Sequence, residues 1–319
     1  MCELRPELNG KMHWLQGRAG TPARDSVDVF YCGRDCQAGH WPRHKAHCQN
    51  MRKRRKLLRA ANLLKLALLT YREVAFDVDL NKIEFQDGLL RLHQNQTARP
   101  KRRLFPSRIT TSTEHKEAAL ANNQCTTAMA LLGRLTRKLL AVGTASVIEF
   151  MDLHIGKPIF RTQLTPGLDT SHCPHTVLRV RQLFTGENWI IDTTGCQYGF
   201  RDVLIPYEKY LEEKACRIIA EPATYDAVET KDLDYFSTLE FMNKTQAQKK
   251  AREVERRARL HFAAFVDTRV NNTILDGSAG HFRDTADRHE AISGRITVTE
   301  ERISWKSRMS TLASIIGEP

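Results

Sequence analysis

"HTVLRVRQLFTGENWIIDTTG", residues 175–195, decides the fold class of this chain. Two runs rich in Val, Leu, Ile and Trp flank Thr185, Gly186, Glu187 and Asn188, a turn-forming cluster. That pattern predicts two antiparallel strands joined by a short connection. "ASVIEFMDL", residues 145–153, predicts a third neighbouring strand.

Around these strands the pattern turns helical. Residues 113–142 form a helical stretch interrupted near Asn122 and Asn123, and Gly143 stands where a helix C-terminus favours glycine. "LLRAANLLKLALLTYREV", residues 57–74, is apolar on most faces and predicts a buried helix. "KIEFQDGLLRLH", residues 82–93, predicts a hairpin turning at Asp87 and Gly88. "IPYEKYLEE", residues 205–213, predicts a short helix, and "TQAQKKAREVERRARLHFAAF", residues 245–265, a long charged one. The fold class is therefore α+β: a small helical hairpin at the N-terminus, helices packed on an antiparallel sheet, and a long C-terminal helix. The expected organisation is a finger segment over 1–50, a helix, hairpin and basic linker over 51–112, and a central α+β domain over 113–220. A helical segment over 221–268 and a polar tail over 269–319 follow.

Composition narrows the function. The chain has 319 residues and a net charge of +12, with no run of eighteen apolar residues and no N-terminal signal-peptide hydrophobic region. A soluble, intracellular protein of the cytoplasm or nucleus, without a membrane partner, is expected. Eight cysteines fit a reducing compartment. The basic runs "RKRRK" (52–56) and "RPKRR" (99–103) can attract phosphate, but neither carries interleaved aromatics or a reading helix. At most, weak non-specific nucleic-acid binding is expected.

"YCGRDCQAGHWPRHKAHC", residues 31–48, has a metal-ligand rhythm, C-x3-C-x7-H-x3-C. Zinc takes thiolate sulfur and imidazole nitrogen in a closed tetrahedron, so Cys32, Cys36, His44 and Cys48 are the candidate ligands. Pro42 can open a helix, which suits a helical hairpin. At Tyr31, Cys32, Cys36, Gln37, Trp41, His44, Lys45 and Cys48 the chain resembles the second half of the MYND zinc finger, position for position. The resemblance implies two cross-braced zincs, yet only Cys2 and His13 lie upstream as ligand types. One Cys3His site, a degenerate finger or a chain whose true start was lost remain open. One zinc or none is expected here, and two in a complete version. No string like the "N-H-S-C-x-P-N" of MYND-bearing SET-domain methyltransferases follows residue 50.

A second constellation lies in the centre. Cys125 opens a predicted helix after the candidate caps Asn122 and Asn123, where a helix N-terminus favours thiolate. Ala128, Leu131, Leu132, Leu135 and Leu139 form the apolar stripe of that helical stretch. His175 opens one strand and Asp192 closes the next, so a hairpin would set them side by side. The order Cys125, His175, Asp192 on helix, strand and strand resembles the transglutaminase-like branch of the papain-type cysteine enzymes. "HTVLRV", Trp189, Asp192 and Thr194 echo that family's motifs, whereas "NNQC" departs from its Gly-x-Cys context. Cys173 and Cys196 are competing thiols near the same site.

Two functions follow. The more specific motif supports an interaction adaptor, whose zinc-ordered finger takes a short, proline-containing peptide of a protein partner, as the MYND resemblance implies. The alternative is a cysteine enzyme for acyl or amide chemistry, with Cys125 as nucleophile, His175 as base and Asp192 as orienter.

Overall fold

A computed structural model describes residues 33–95, 104–170, 172–183, 185–270 and 275. Cys32, the basic run at 99–103 and residues 276–319 lie outside the described residues. The chain divides into two compact units, residues 1–125 with 143–225 and residues 126–142 with 226–319.

The first unit opens with helix α1 (Arg34–Val74). Leu57, Ala60, Ala61, Leu64 and Leu68 are all fully buried, and their three- and four-residue steps make them one helical face. Strands β1 (Leu80–Gln86) and β2 (Leu89–Gln94) form the expected hairpin. Asp87 and Gly88 have φ of 53° and 71°, the left-handed pair that a two-residue turn between twisted strands requires. Helix α2 (Thr113–Ala121) is capped by Ser112, whose side chain accepts the His115 N–H. The break near Asn122 and Asn123 separates it from α3 (Cys125–Leu131), and α4 (Gly133–Leu140) follows. Gly143, at φ 73°, ends the helical stretch.

Strands β3 (Ala145–His154), β4 (Arg161–Thr165), β5 (His175–Gln182), β6 (Asn188–Ile191) and β7 (Leu204–Pro206) lead to helix α5 (Tyr207–Glu213). The short strands β8 (Arg217–Ile218) and β9 (Ala223–Thr224) complete the unit. The larger sheet runs β7-β6-β5-β3-β8, with β9 also on β3, and every pairing in it is antiparallel. The smaller sheet runs β1-β2-β4 and pairs β2 with β4 in parallel. Sequence reasoning missed β4, because "RTQLT" offers one large apolar residue and no alternation.

In the larger sheet, Met151, Leu153, Val177, Ile190, Ile205 and Tyr210 form one buried cluster that joins β3, β5, β6 and β7 to α5. Phe76, Leu80, Leu90, Leu92, Phe105 and Phe160, with the alanines of α2, form another around the smaller sheet.

The second unit contains α4, helix α6 (Lys231–Thr238) and the expected long helix α7 (Gln246–Arg269). Thr245 and Gln248 close a capping box at the start of α7, and Lys138 Nζ donates to the carbonyls of Val266 and Asp267 at its end. Gly133 is required by close approach, since a Cβ there would meet the Ala227 carbonyl oxygen at 2.6 Å. Arg259 is buried and ion-paired with Asp232 and Glu255.

The finger segment differs from expectation. From Arg34 onward it is one continuous helix with residues 51–74, not a hairpin. Ala38, Ala46 and several long unbranched Arg, Lys and Gln residues favour local helix, and nothing else in the described chain turns it back. This end of α1 lacks a side-chain cap at Gly33 and contains Pro42, which costs a helix interior about 3 kcal/mol.

Ile190 is fully buried at the centre of the larger sheet, touching the cluster that holds α5. Ile190→Ala should lower the unfolding free energy of the first unit by about 2–5 kcal/mol in a urea titration.

Candidate functional site

Register builds the site. β5 and β6 pair Leu178 with Ile191 and Arg179 with Ile190, so one step further Val177 stands opposite Asp192 and His175 is its diagonal neighbour. Side chains alternate along a strand, which puts His175, Val177, Ile190 and Asp192 on one face. His175 is 0% exposed and Asp192 3%. His175 Nε2 lies 3.0 Å from Asp192 Oδ1.

The carboxylate is held on both oxygens. The Thr194 N–H also donates to Oδ1 at 3.2 Å, and the Tyr210 hydroxyl donates to Oδ2 at 2.8 Å. Gly195 leaves it room, because a Cβ there would fall 2.4 Å from Oδ2. Burial would raise the Asp192 pKa, but the His175 charge and hydrogen bond, with those from Tyr210 and Thr194, hold it below its ordinary range. Burial and then the Asp192 charge drive the Tyr210 pKa well up, so the phenol remains a donor.

A side-chain hydrogen bond and charge also couple His175 to Cys125. Burial would lower its pKa, but the charge and hydrogen bond of Asp192, followed by the hydrogen bond and charge of Cys125, push it from 6.5 up to about 10. Tyr198 packs edge-on against the imidazole at 5.0 Å, and Gln197 Nε2 lies 3.5 Å from His175 Nδ1. Cys125 is half-buried, the first residue of α3, with its sulfur 3.9 Å from the Pro174 carbonyl oxygen. The expected asparagine caps are not at its helix: Asn122 is the C-cap of α2, and Gln124 directly precedes Cys125.

The structure thus brings Cys125, His175 and Asp192 together within the first unit. Cys196 is buried, and burial pushes its pKa up to about 12, so it is a core thiol. Cys173 is exposed. Sequence reasoning missed Tyr210 and Gln197. "IPYEKYLEE" marks a helix without saying which tyrosine faces the sheet, and Gln197 belongs to no recognised string.

Of the basic run at 52–56, Arg54 is engaged inside the fold, paired with Glu187 and 5.8 Å from the Trp189 ring centroid. Arg52 and Arg55 are exposed. No helix among the described residues is long and apolar enough to cross a membrane.

The donor set of the finger, three thiols and an imidazole, suits zinc. In the described part of the finger the backbone is one continuous helix, and Cys32 lies outside the described residues. At ~1.5 Å per residue, positions 36 and 48 of α1 are about 18 Å apart along the axis, far beyond what ligands ~2.3 Å from one ion can span. Among the described residues no group of three or more His, Cys, Asp or Glu could hold a metal ion.

The paired charges of the site set a pH window. A raised pKa in the folded chain means that His175 stabilises the fold fully below 6.5 and loses that contribution as pH rises through about 10. The His175 imidazole should therefore show no NMR titration between pH 5 and 8. Between pH 7 and 10 the chain should lose stability that His175→Gln does not lose.

Residues 27–48 match the family model of the MYND finger. The comparison with curated proteins gave no match, and neither did that with solved structures. The match supports zinc binding and protein–protein interaction in general terms. Because metal binding to such a unit is coupled to its folding, zinc added to the reduced, metal-free chain should lower the helical far-UV signal. Cys36→Ser or His44→Ala should abolish that change, and an unchanged signal with zinc bound would mean that the helix ligates intact.

Proposed function

We propose that this chain joins a zinc finger that recruits a protein partner to a cysteine centre that works on an acyl or amide carbonyl. The observation that carries this reading is the buried His175–Asp192 pair, 3.0 Å apart, beside a half-buried Cys125. A nucleophile beside a base that a third group orients is the arrangement that covalent catalysis uses. Cys125 rests as a thiolate beside the protonated His175, and this thiolate attacks the carbonyl carbon. His175 gives its proton to the leaving group, and Asp192 keeps the ring in place through Nε2. The resemblance to transglutaminase-like enzymes points the same way. The finger would take a short proline-containing peptide, with zinc held by Cys32, Cys36, His44 and Cys48 and no step of the chemistry passing through the metal.

A second reading keeps the adaptor alone, with the α+β body as scaffold. The family match favours it, because that match lies wholly in the finger, at 27–48.

Thiol reactivity separates the two. Iodoacetamide at pH 6 should alkylate Cys125 about tenfold faster than a free cysteine, since full ionisation outweighs the lower nucleophilicity of an acidic thiol. His175→Ala should remove the excess, Asp192→Asn should slow it less, and Cys125→Ala should abolish acyl transfer with little change in stability. A Cys125 that reacts only after unfolding leaves the adaptor reading.

A further inference from the structure

The smaller sheet turns only one of its faces to the core. Its register sets Phe85, Leu90 and Thr162 in one row across β1, β2 and β4, and Ile83, Leu92 and Leu164 in another. Leu90 and Leu92 are buried in the cluster of Phe76, Phe105 and Phe160, so these rows form the inner face. The residues between them point the other way, because side chains alternate along a strand. Gln86, Leu89 and Arg161 make the first row of that outer face. Glu84, Arg91 and Gln163 make the second, and Lys82, His93 and Thr165 the third. None of these side chains is buried.

Charge on this face is one-sided. Its single carboxylate, Glu84, is engaged at both oxygens, with Lys82 Nζ 2.9 Å from Oε1 and His93 Nε2 3.2 Å from Oε2. Arg91 stands directly across from Glu84 in register. Even so, among the described residues neither its guanidinium nor that of Arg161 makes an ion pair or a hydrogen bond. The two arginines are diagonal neighbours on β2 and β4, with backbones ~7–8 Å apart. Lys82 holds the opposite corner, so the cations span roughly 16 Å at ~4.8 Å between strands and ~3.3 Å per residue. Gln86, Gln163 and Thr165 place amides and a hydroxyl among them.

Spaced cations interleaved with amides and hydroxyls are the groups that contact nucleic-acid phosphates. The face has no Phe, Tyr or Trp, so it offers no platform for unstacked bases, and a single strand gains little from it. A duplex keeps its bases stacked and presents one negative charge per ~1.7 Å of axis, which such a face meets without reading sequence. An acidic protein is served less well, because protein interfaces draw on apolar and aromatic anchors and Leu89 is the one apolar side chain here. The wider charge agrees: the chain carries +12, and the basic run "RPKRR" begins at Arg99, shortly after β2 ends at Gln94.

We infer that the outer face of the β1-β2-β4 sheet binds the phosphate backbone of double-stranded nucleic acid without regard to sequence, with Arg91 and Arg161 as its principal contacts. The surface depends on neither the finger nor the cysteine centre.

Fluorescence anisotropy with two labelled DNA duplexes of unrelated sequence, run on the full chain across a salt series, tests this. Replacing both arginines, Arg91→Gln with Arg161→Gln, should weaken binding at least about tenfold near 0.1 M salt. It should also lower the slope of log K against log salt by about 2, equally for both duplexes. Arg201→Gln removes an exposed arginine of the same unit outside this sheet and should change neither quantity. On the wild-type chain, bound duplex should protect Arg91 and Arg161 from phenylglyoxal, read by mass spectrometry, which needs no variant to fold. Absence of wild-type binding at low salt would overturn the assignment, as would an unchanged slope in the double variant or equal modification of both arginines with and without duplex. Polyglutamate bound more tightly than either duplex, and lost in the same variant, would overturn it in favour of an acidic protein partner.

Discussion

A carboxylate taken out of water must be answered by charge and hydrogen bonds, or the chain does not tolerate it, and Asp192 is answered on every side. His175 reaches it from β5, the Thr194 N–H from its own loop and the Tyr210 hydroxyl from α5. Each answer fixes an element. β5 cannot slip relative to β6 without taking His175 to the other face, α5 is pinned through Tyr210, and the loop after β6 must carry glycine at 195. The apolar cluster of Val177, Ile190, Ile205 and Tyr210 supplies the driving force around this point, and the polar contacts supply its specificity. Breaking one side of such a buried pair typically costs about 3–5 kcal/mol, so the same residues that define the candidate chemistry also hold the sheet in register.

Much of this was legible in the sequence, and the rest was hidden for identifiable reasons. Strands β3, β5 and β6 announce themselves as apolar runs, the Asp87-Gly88 turn carries the residue types that left-handed backbone demands, and α7 shows a long charged period. His175 and Asp192 could be picked out because each sits at the end of such a run. Tyr210 and Gln197 could not, since what makes them important is a partner in space that leaves no mark on neighbouring residues. The polar β4 and its parallel pairing were invisible for a related reason: the pairing is decided by β2, some seventy residues earlier.

The finger segment and the body obey different physics. The body is held by its own buried clusters. Residues 34–50 have no such core in the described chain, and local propensity makes them helix despite Pro42. Four ligand-type residues correctly spaced in sequence are therefore not yet a site. The x3 pairs are compatible with helix one at a time, whereas a closed tetrahedron needs both, and the energy to bend the backbone must come from coordination.

The division of the chain also bears on how the protein is made. Residues 126–142 belong with a unit whose other part begins only at residue 226, and they interrupt a unit whose sheet is complete only when β9 pairs with β3. On the ribosome, where a chain grows by about 5–20 residues per second, α4 must wait for roughly a hundred residues before α7 arrives to cover it. Its buried Leu135, Leu139 and Leu140 are meanwhile without their native neighbours. The first unit is complete once residue 225 has been made, so it can mature before the second, whose α4 lacks its partner helix until α7 follows.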